Sequence, residues 1–155
     1  MLPDIRSTPV EFTVHGFSLL HDPAKKFGEE IMALLGRVWP VVKGNSLPHD
    51  GVNRVVYDAA PSGAGECMVF AGVVLGTGAE AMTGASELER KTVRLTRYAV
   101  WKHVGPYHLI PVTGAAMRKA LEVAGHRMGW PMVEVYGHWT SDESKLETET
   151  WVKIV

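Results

Sequence analysis

Apolar and polar residues alternate from Val10, where Val10, Phe12 and Val14 are set against Glu11, Thr13 and His15. This predicts a first strand over Val10–Leu20, with Gly16 as a bulge position. Asp22-Pro23 then reads as a helix start, an N-cap followed by proline at the first helical position. Phe27, Ile31, Leu34, Leu35 and Val38 fall at helical spacing and carry that helix to about Val38, with Pro40 and Gly44-Asn45 closing it. Asn53–Ala59 and Glu66–Leu75 are predicted strands joined by a turn over Pro61–Gly65.

A crossover from Gly76 to Lys91 follows. Its glycines match neither a phosphate-loop nor a dinucleotide spacing, so they read as a turn. Thr92–Lys102 alternates again and predicts one strand, and His103–Ile110 is a glycine-proline loop carrying Tyr107. Val112, Met117, Ala120, Leu121 and Ala124 form a helical stripe that Gly125–Gly129 stops. Pro131–Tyr136, a polar turn at Thr140–Ser144 and Leu146–Val155 complete the chain. The order strand-helix-strand-strand therefore occurs twice, and Tyr57–Gly76 runs against Tyr136–Val155 without a gap. Two such units predict an α+β fold whose antiparallel sheet carries its helices on one side. A ligand cleft is then expected between the halves, on the opposite side. One domain is expected over 1–155, with repeats at about 10–76 and 92–155.

Composition narrows the function. Sixteen Lys plus Arg against seventeen Asp plus Glu give a net charge of -1. Without a block of like charge, neither a nucleic-acid surface nor a polybasic membrane patch is expected. The lone Cys67 reads as a small buried hydrophobe. No signal-peptide pattern opens the chain, so the cytoplasm is the expected location. The seven histidines show no metal-ligand spacing, and neither a metal nor a cofactor, haem included, is expected.

The chemistry concentrates in two strands. Alternation puts Met132, Glu134 and Tyr136 on one face and Val133 and Val135 on the other. In the last strand Glu147, Glu149, Trp151 and Lys153 share a face opposite Thr148, Thr150, Val152 and Ile154. If the aliphatic face of that strand meets the helices, Glu149 and Trp151 point with Glu134 and Tyr136, and the repeat adds Tyr57 and Phe70. The cleft would then hold two carboxylates among aromatic rings, Trp101 and Tyr107 included, which suits a lipophilic cation. The same pattern also fits two exposed acids on an open sheet with aromatics filling the core.

The run Tyr98-Ala99-Val100-Trp101-Lys102-His103-Val104-Gly105-Pro106-Tyr107, with Val133-Glu134-Val135-Tyr136 and Glu147-Thr148-Glu149-Thr150-Trp151-Val152-Lys153-Ile154-Val155, resembles the GyrI-like small-molecule-binding domain. That domain is the effector-binding module of MerR-type and AraC-type multidrug regulators, and it also occurs as stand-alone proteins. The resemblance covers Thr92–Val155 and implies the duplicated fold. It implies that Glu134 faces an aromatic cleft and pairs with cationic compounds, with Tyr107, Tyr136 and Trp151 as walls. Lys153 stands where the family usually has proline, which would alter the cleft's rim.

Three functions follow from the resemblance. The first is a stand-alone domain that captures hydrophobic cationic molecules without binding DNA itself, since the first strand begins within about ten residues. The second is a hydrolase of strained cyclopropane-containing toxins, with Glu134 as base and Tyr136 or Tyr107 as proton donor. The third, inhibition of a protein partner, has no unassigned acidic segment or apolar stripe to support it.

Overall fold

The structure is a computed structural model, described over residues 1–63 and 65–155. The strands are β1 (Asp4–Arg6), β2 (Val10–Leu20), β3 (Arg54–Ala59), β4 (Cys67–Val73), β5 (Glu89–Leu95), β6 (Tyr98–Val104), β7 (Met128–Tyr136) and β8 (Glu147–Ile154); the helices are α1 (Phe27–Gly44) and α2 (Ile110–Val123). The strands form one antiparallel sheet in the order β1-β6-β8-β7-β3-β4-β2-β5. That order is palindromic about the β7–β3 seam, where the duplicated halves meet. Each half is β-α-β-β, and β1 and β5 extend the two edges. The α+β duplication read from the sequence is therefore the observed architecture.

Several boundaries differ, each for a local reason. Asp22-Pro23 does not open α1. Asp22 Oδ1 accepts the Ala24 N–H at 2.9 Å, closing a turn of its own, and the helix begins after Lys26. The helix also runs past Pro40, which removes one ladder hydrogen bond near the end, and stops at Gly44. The predicted strand over Thr92–Lys102 is two strands, β5 and β6, broken at the exposed Thr96-Arg97. The inward residues change phase there, from Val93 and Leu95 to Tyr98 and Val100. Residues 96–97 thus carry the chain from one half to the other, since β5 pairs with β2 and β6 with β8. β1 is too short to show alternation, and only Ile5 of its residues is partly buried. Ala64, in the predicted 61–65 turn, lies outside the described residues.

The sheet curls strongly. Phe12 of β2 and Trp151 of β8 have three strands between them, yet their rings meet edge to face at 5.7 Å. Curling encloses a first core on the concave face, built around Val14, Val56, Phe70, Leu95, Tyr98 and Val133. The convex face carries both helices. Leu34 of α1 packs on Val55, Val69 and Ala71, and Met117 and Leu121 of α2 pack on Ala99, Val152 and Ile154. Each helix covers its own half and leaves the central seam unroofed. No helix among the described residues is long and apolar enough to cross a membrane.

Gly16 is not a bulge, because β2–β4 register runs unbroken through Gly16↔Gly72. These glycines permit a very close backbone approach instead. A Cβ on Gly72 would lie 2.0 Å from the His15 carbonyl oxygen, and one on Gly16 would lie 1.9 Å from that of Ala71. Gly72→Ala should therefore cost at least about 2 kcal/mol in chemical unfolding. Gly36→Ala, inside α1 with open space around it, should instead stabilise by roughly 0.5–1 kcal/mol. Equal effects of the two substitutions would refute the close-approach account.

Candidate ligand-binding site

The unroofed seam is the floor of a cavity of about 1190 Å³ between α1 and α2. Its centre follows from strand register. Val55 of β3 pairs with Glu134 of β7, and Glu134 pairs in turn with Thr150 of β8, so these side chains share the convex face with the helices. Tyr57, Met132 and Tyr136 lie on the same face by alternation.

Glu134 is only 6% exposed. Burying a carboxylate there requires donors to replace lost water. Two tyrosines supply them, the Tyr57 hydroxyl donating to Oε1 at 2.5 Å and the Tyr136 hydroxyl to the same oxygen at 3.0 Å. Oε2 receives no hydrogen bond from the described residues, yet it is not among the sealed unpartnered atoms, so it is the oxygen presented to the cavity. Burial pushes the Glu134 carboxyl above its ordinary range, against the opposing pull of the Tyr57 and Tyr136 hydroxyls and of the Arg118 guanidinium. Burial, and then the neighbouring carboxylate, push both tyrosines well above their usual value, so they remain protonated donors.

Aromatic rings surround this acid. Tyr107, on a short turn after Gly105-Pro106, meets Tyr136 edge to face at 5.4 Å. Phe27 meets Tyr57 in the same manner at 5.5 Å, and its other face stacks on His21 at 3.7 Å. His21 Nδ1 is in turn 2.5 Å from Glu30 Oε1, a second buried carboxylate, so the Phe27 wall is braced from behind. Trp101 lies in the floor against Met117 and Leu121. Trp39 closes one end, its indole N–H donating to Asn53 Oδ1 at 2.9 Å.

The structure thus brings together Glu134, Tyr57, Tyr136, Tyr107 and Trp101 and separates the other sequence candidates from them. Glu149 and Trp151 point to the concave side, because Val135 and Val133 are their cross-strand partners. Trp151 packs there on Phe12 and Tyr98, and its indole N–H donates to Glu149. Phe70 belongs to the same concave core. Lys153 shares that face of β8 and lies outside the cavity. The aliphatic face of β8 does meet the helices, as expected. The error lies in β7, whose valines face the concave core while Glu134 faces the helix side. The cavity is accordingly on the helix side of the sheet and not opposite it.

Other lining residues went unrecognised. Phe27, Ile31 and Leu35 read as plain core, and Trp130, Trp139 and Arg118 were not singled out. For Arg118 a signal existed, since it lies one turn after Gly114 and directly after Met117 on an amphipathic helix. Cys67 is half-buried and borders the cavity, its thiol pushed up by burial. Among the described residues no group of three or more His, Cys, Asp or Glu side chains gathers as a metal site would require.

No family model matches the chain. No curated protein matches it either. Solved structures do. SAV2435, in a structure bound to tetraphenylphosphonium, aligns with a TM-score of 0.73 at 13% identity over 100% of this chain and 94% of its own. The C-terminal domain of EcmrR aligns with a TM-score of 0.72 at 13% identity, over 100% of this chain and 99% of that one. A hydrolase from Listeria innocua aligns with a TM-score of 0.58 at 14% identity, over 99% and 91%. The chain has the GyrI-like fold.

Two outcomes test the electrostatics. Tyr57→Phe removes the shorter donor and should raise the Glu134 pKa further, read by side-chain carbon NMR of labelled glutamate; an unchanged or lower value would contradict the geometry. Because the folded pKa lies above the unfolded one, the folded chain binds this proton more readily. Its stability contribution therefore falls as pH rises from the ordinary carboxylate range through the raised value. Glu134→Gln keeps an acceptor for the tyrosines and removes that loss. Its Tm should exceed that of the wild type at pH 7, with the gap closing at acid pH.

Proposed function

We propose that this chain is a small-molecule-binding domain that captures hydrophobic cations between α1 and α2, with Glu134 as the countercharge. The observation that carries this reading is the buried carboxylate whose Oε1 is held by two tyrosines and whose Oε2 opens on an aromatic cavity. Aromatic faces attract a cation by about 0.5–2 kcal/mol per contact, more where water is excluded. A carboxylate in the same low-dielectric setting adds an attraction that water would largely screen. The cavity slightly exceeds the roughly 300–1,000 Å³ of ordinary ligand pockets. Bulk, polyaromatic shape and positive charge are therefore the selected properties. Both repeats line the cavity, so residues 1–155 act as one binding domain. Tyr57, Tyr107, Tyr136 and Trp101 are its aromatic contacts. The tetraphenylphosphonium bound to SAV2435, a lipophilic cation, supports the ligand class.

A second reading is hydrolysis of strained cyclopropane-containing compounds, favoured by the open Oε2 and by the hydrolase among the structural neighbours. There Glu134 would accept a proton from water as the water oxygen bonds one cyclopropane carbon and the strained carbon–carbon bond breaks. Tyr136 or Tyr107 would protonate the carbon released and then recover a proton from Glu134 or solvent. Incubation with such a compound, followed by mass spectrometry, should then yield a product heavier by one water.

Fluorescence titration with rhodamine 6G, and calorimetry with tetraphenylphosphonium, test the binding reading. Glu134→Gln should weaken both at least tenfold, about 1.4 kcal/mol, and Glu149→Gln should leave both unchanged. Affinity should also fall as pH is lowered through the raised Glu134 pKa, because protonation removes the countercharge. Wild-type affinity in Glu134→Gln would sink the proposal.

A further inference from the structure

Among the described residues the cavity is lined by two residues of opposite formal charge, Glu134 on β7 and Arg118 on α2, and both come from the second repeat. Arg118 is not consumed by an ion pair. Its one side-chain hydrogen bond among the described residues runs from Nη2 to Met132 Sδ at 2.7 Å, and a thioether is a weak acceptor. None of its nitrogens is a sealed, unpartnered atom, so the remaining donors stay accessible at the cavity wall. The position that answers to it in α1 is Trp39, since each lies five residues before the last residue of its helix, Gly44 or Val123, and directly follows a buried residue of the sheet-facing stripe, Val38 or Met117.

A guanidinium keeps its charge at any ordinary pH. A ligand with positive charge alone would be drawn to Glu134 and repelled by Arg118 in one compartment. Resting on the cavity reading above, we infer that the preferred ligand is amphoteric: a bulky aromatic cation that also bears a carboxylate or sulfonate, the cationic part facing Glu134 and the acid taken by the Arg118 fork. That fork matches the two oxygens of a carboxylate, which gives orientation as well as attraction.

Rhodamine B and its ethyl ester test this, because they share one xanthenium cation and differ in the free carboxylate. Binding would be followed by visible absorption, which reports the open, charged form. The wild type should bind the acid at least tenfold more tightly than the ester, and Arg118→Met should abolish that preference while still binding the ester, which also shows that the variant is folded. Equal or tighter binding of the ester by the wild type overturns the inference, as does a preference that survives in Arg118→Met. If the ester binds in a Glu134-dependent manner without a preference for the acid, the assignment of Arg118 alone fails. If the wild type binds neither dye, the cavity reading fails with it.

Discussion

The burial of one carboxylate at the centre of the sheet is the constraint on which the site depends. Glu134 sits at the seam of the two halves, where it has lost most of its water. Neither half could hold it alone. Tyr136 comes from its own strand, but the shorter hydrogen bond comes from Tyr57, across the seam in the other repeat. Pairing of β3 with β7 is therefore both the joint of the fold and the condition for a charged group there. Further donors would lower the carboxyl's pKa and offset its burial more fully, but would leave less of its charge for a ligand. Two donors on one oxygen hold the group in place and leave the other oxygen open.

Curvature makes room for this arrangement. A flat sheet of this length would present one face to the helices and one to water. Curling closes the concave face on itself, so that Phe12, Tyr98 and Trp151 form a core without helical cover. The helices then have only the convex face to cover, and a convex surface spreads them apart. The cavity is the space between two helices that each follow the outward curve of their own half. The opposed glycines Gly16 and Gly72 sit where the paired backbones of β2 and β4 leave no room for a Cβ, within the half that α1 covers.

Much of this was legible in the chain. Helical and strand periods disclosed the duplicated order, and alternation grouped Met132, Glu134 and Tyr136 correctly. Alternation says which residues share a face, however, and not what that face meets. Assigning Val133 and Val135 to a core was sound, but apolar residues pack on both faces of the sheet, and the concave core can be recognised only once the sheet is known to curl. Glu149, Trp151 and Phe70 were displaced together by that single ambiguity, because the repeat tied them to one another. The join at Thr96-Arg97 was hidden differently: two strands separated by two residues look like one unless the change of apolar phase is noticed. Arg118 was lost because an arginine on an amphipathic helix ordinarily reads as its solvent face.

Duplication also explains why charge and shape are divided between the halves. Val55 corresponds to Glu134 and Trp39 to Arg118, so at both positions the first repeat keeps an uncharged, largely apolar side chain where the second carries a charge. A symmetric site would place two carboxylates side by side on paired strands, each raising the cost of ionising the other. One charged and one apolar copy avoids that repulsion while retaining both tyrosines, which correspond to each other as Tyr57 and Tyr136. The first repeat is then free to supply surface, with Phe27, Ile31 and Trp39 as a broad wall that makes no ionic demand on what it touches. On the binding reading proposed above, selectivity for charge would reside in one repeat and tolerance of shape in the other, so changes in the apolar wall would alter which rings fit without altering the sign of charge preferred.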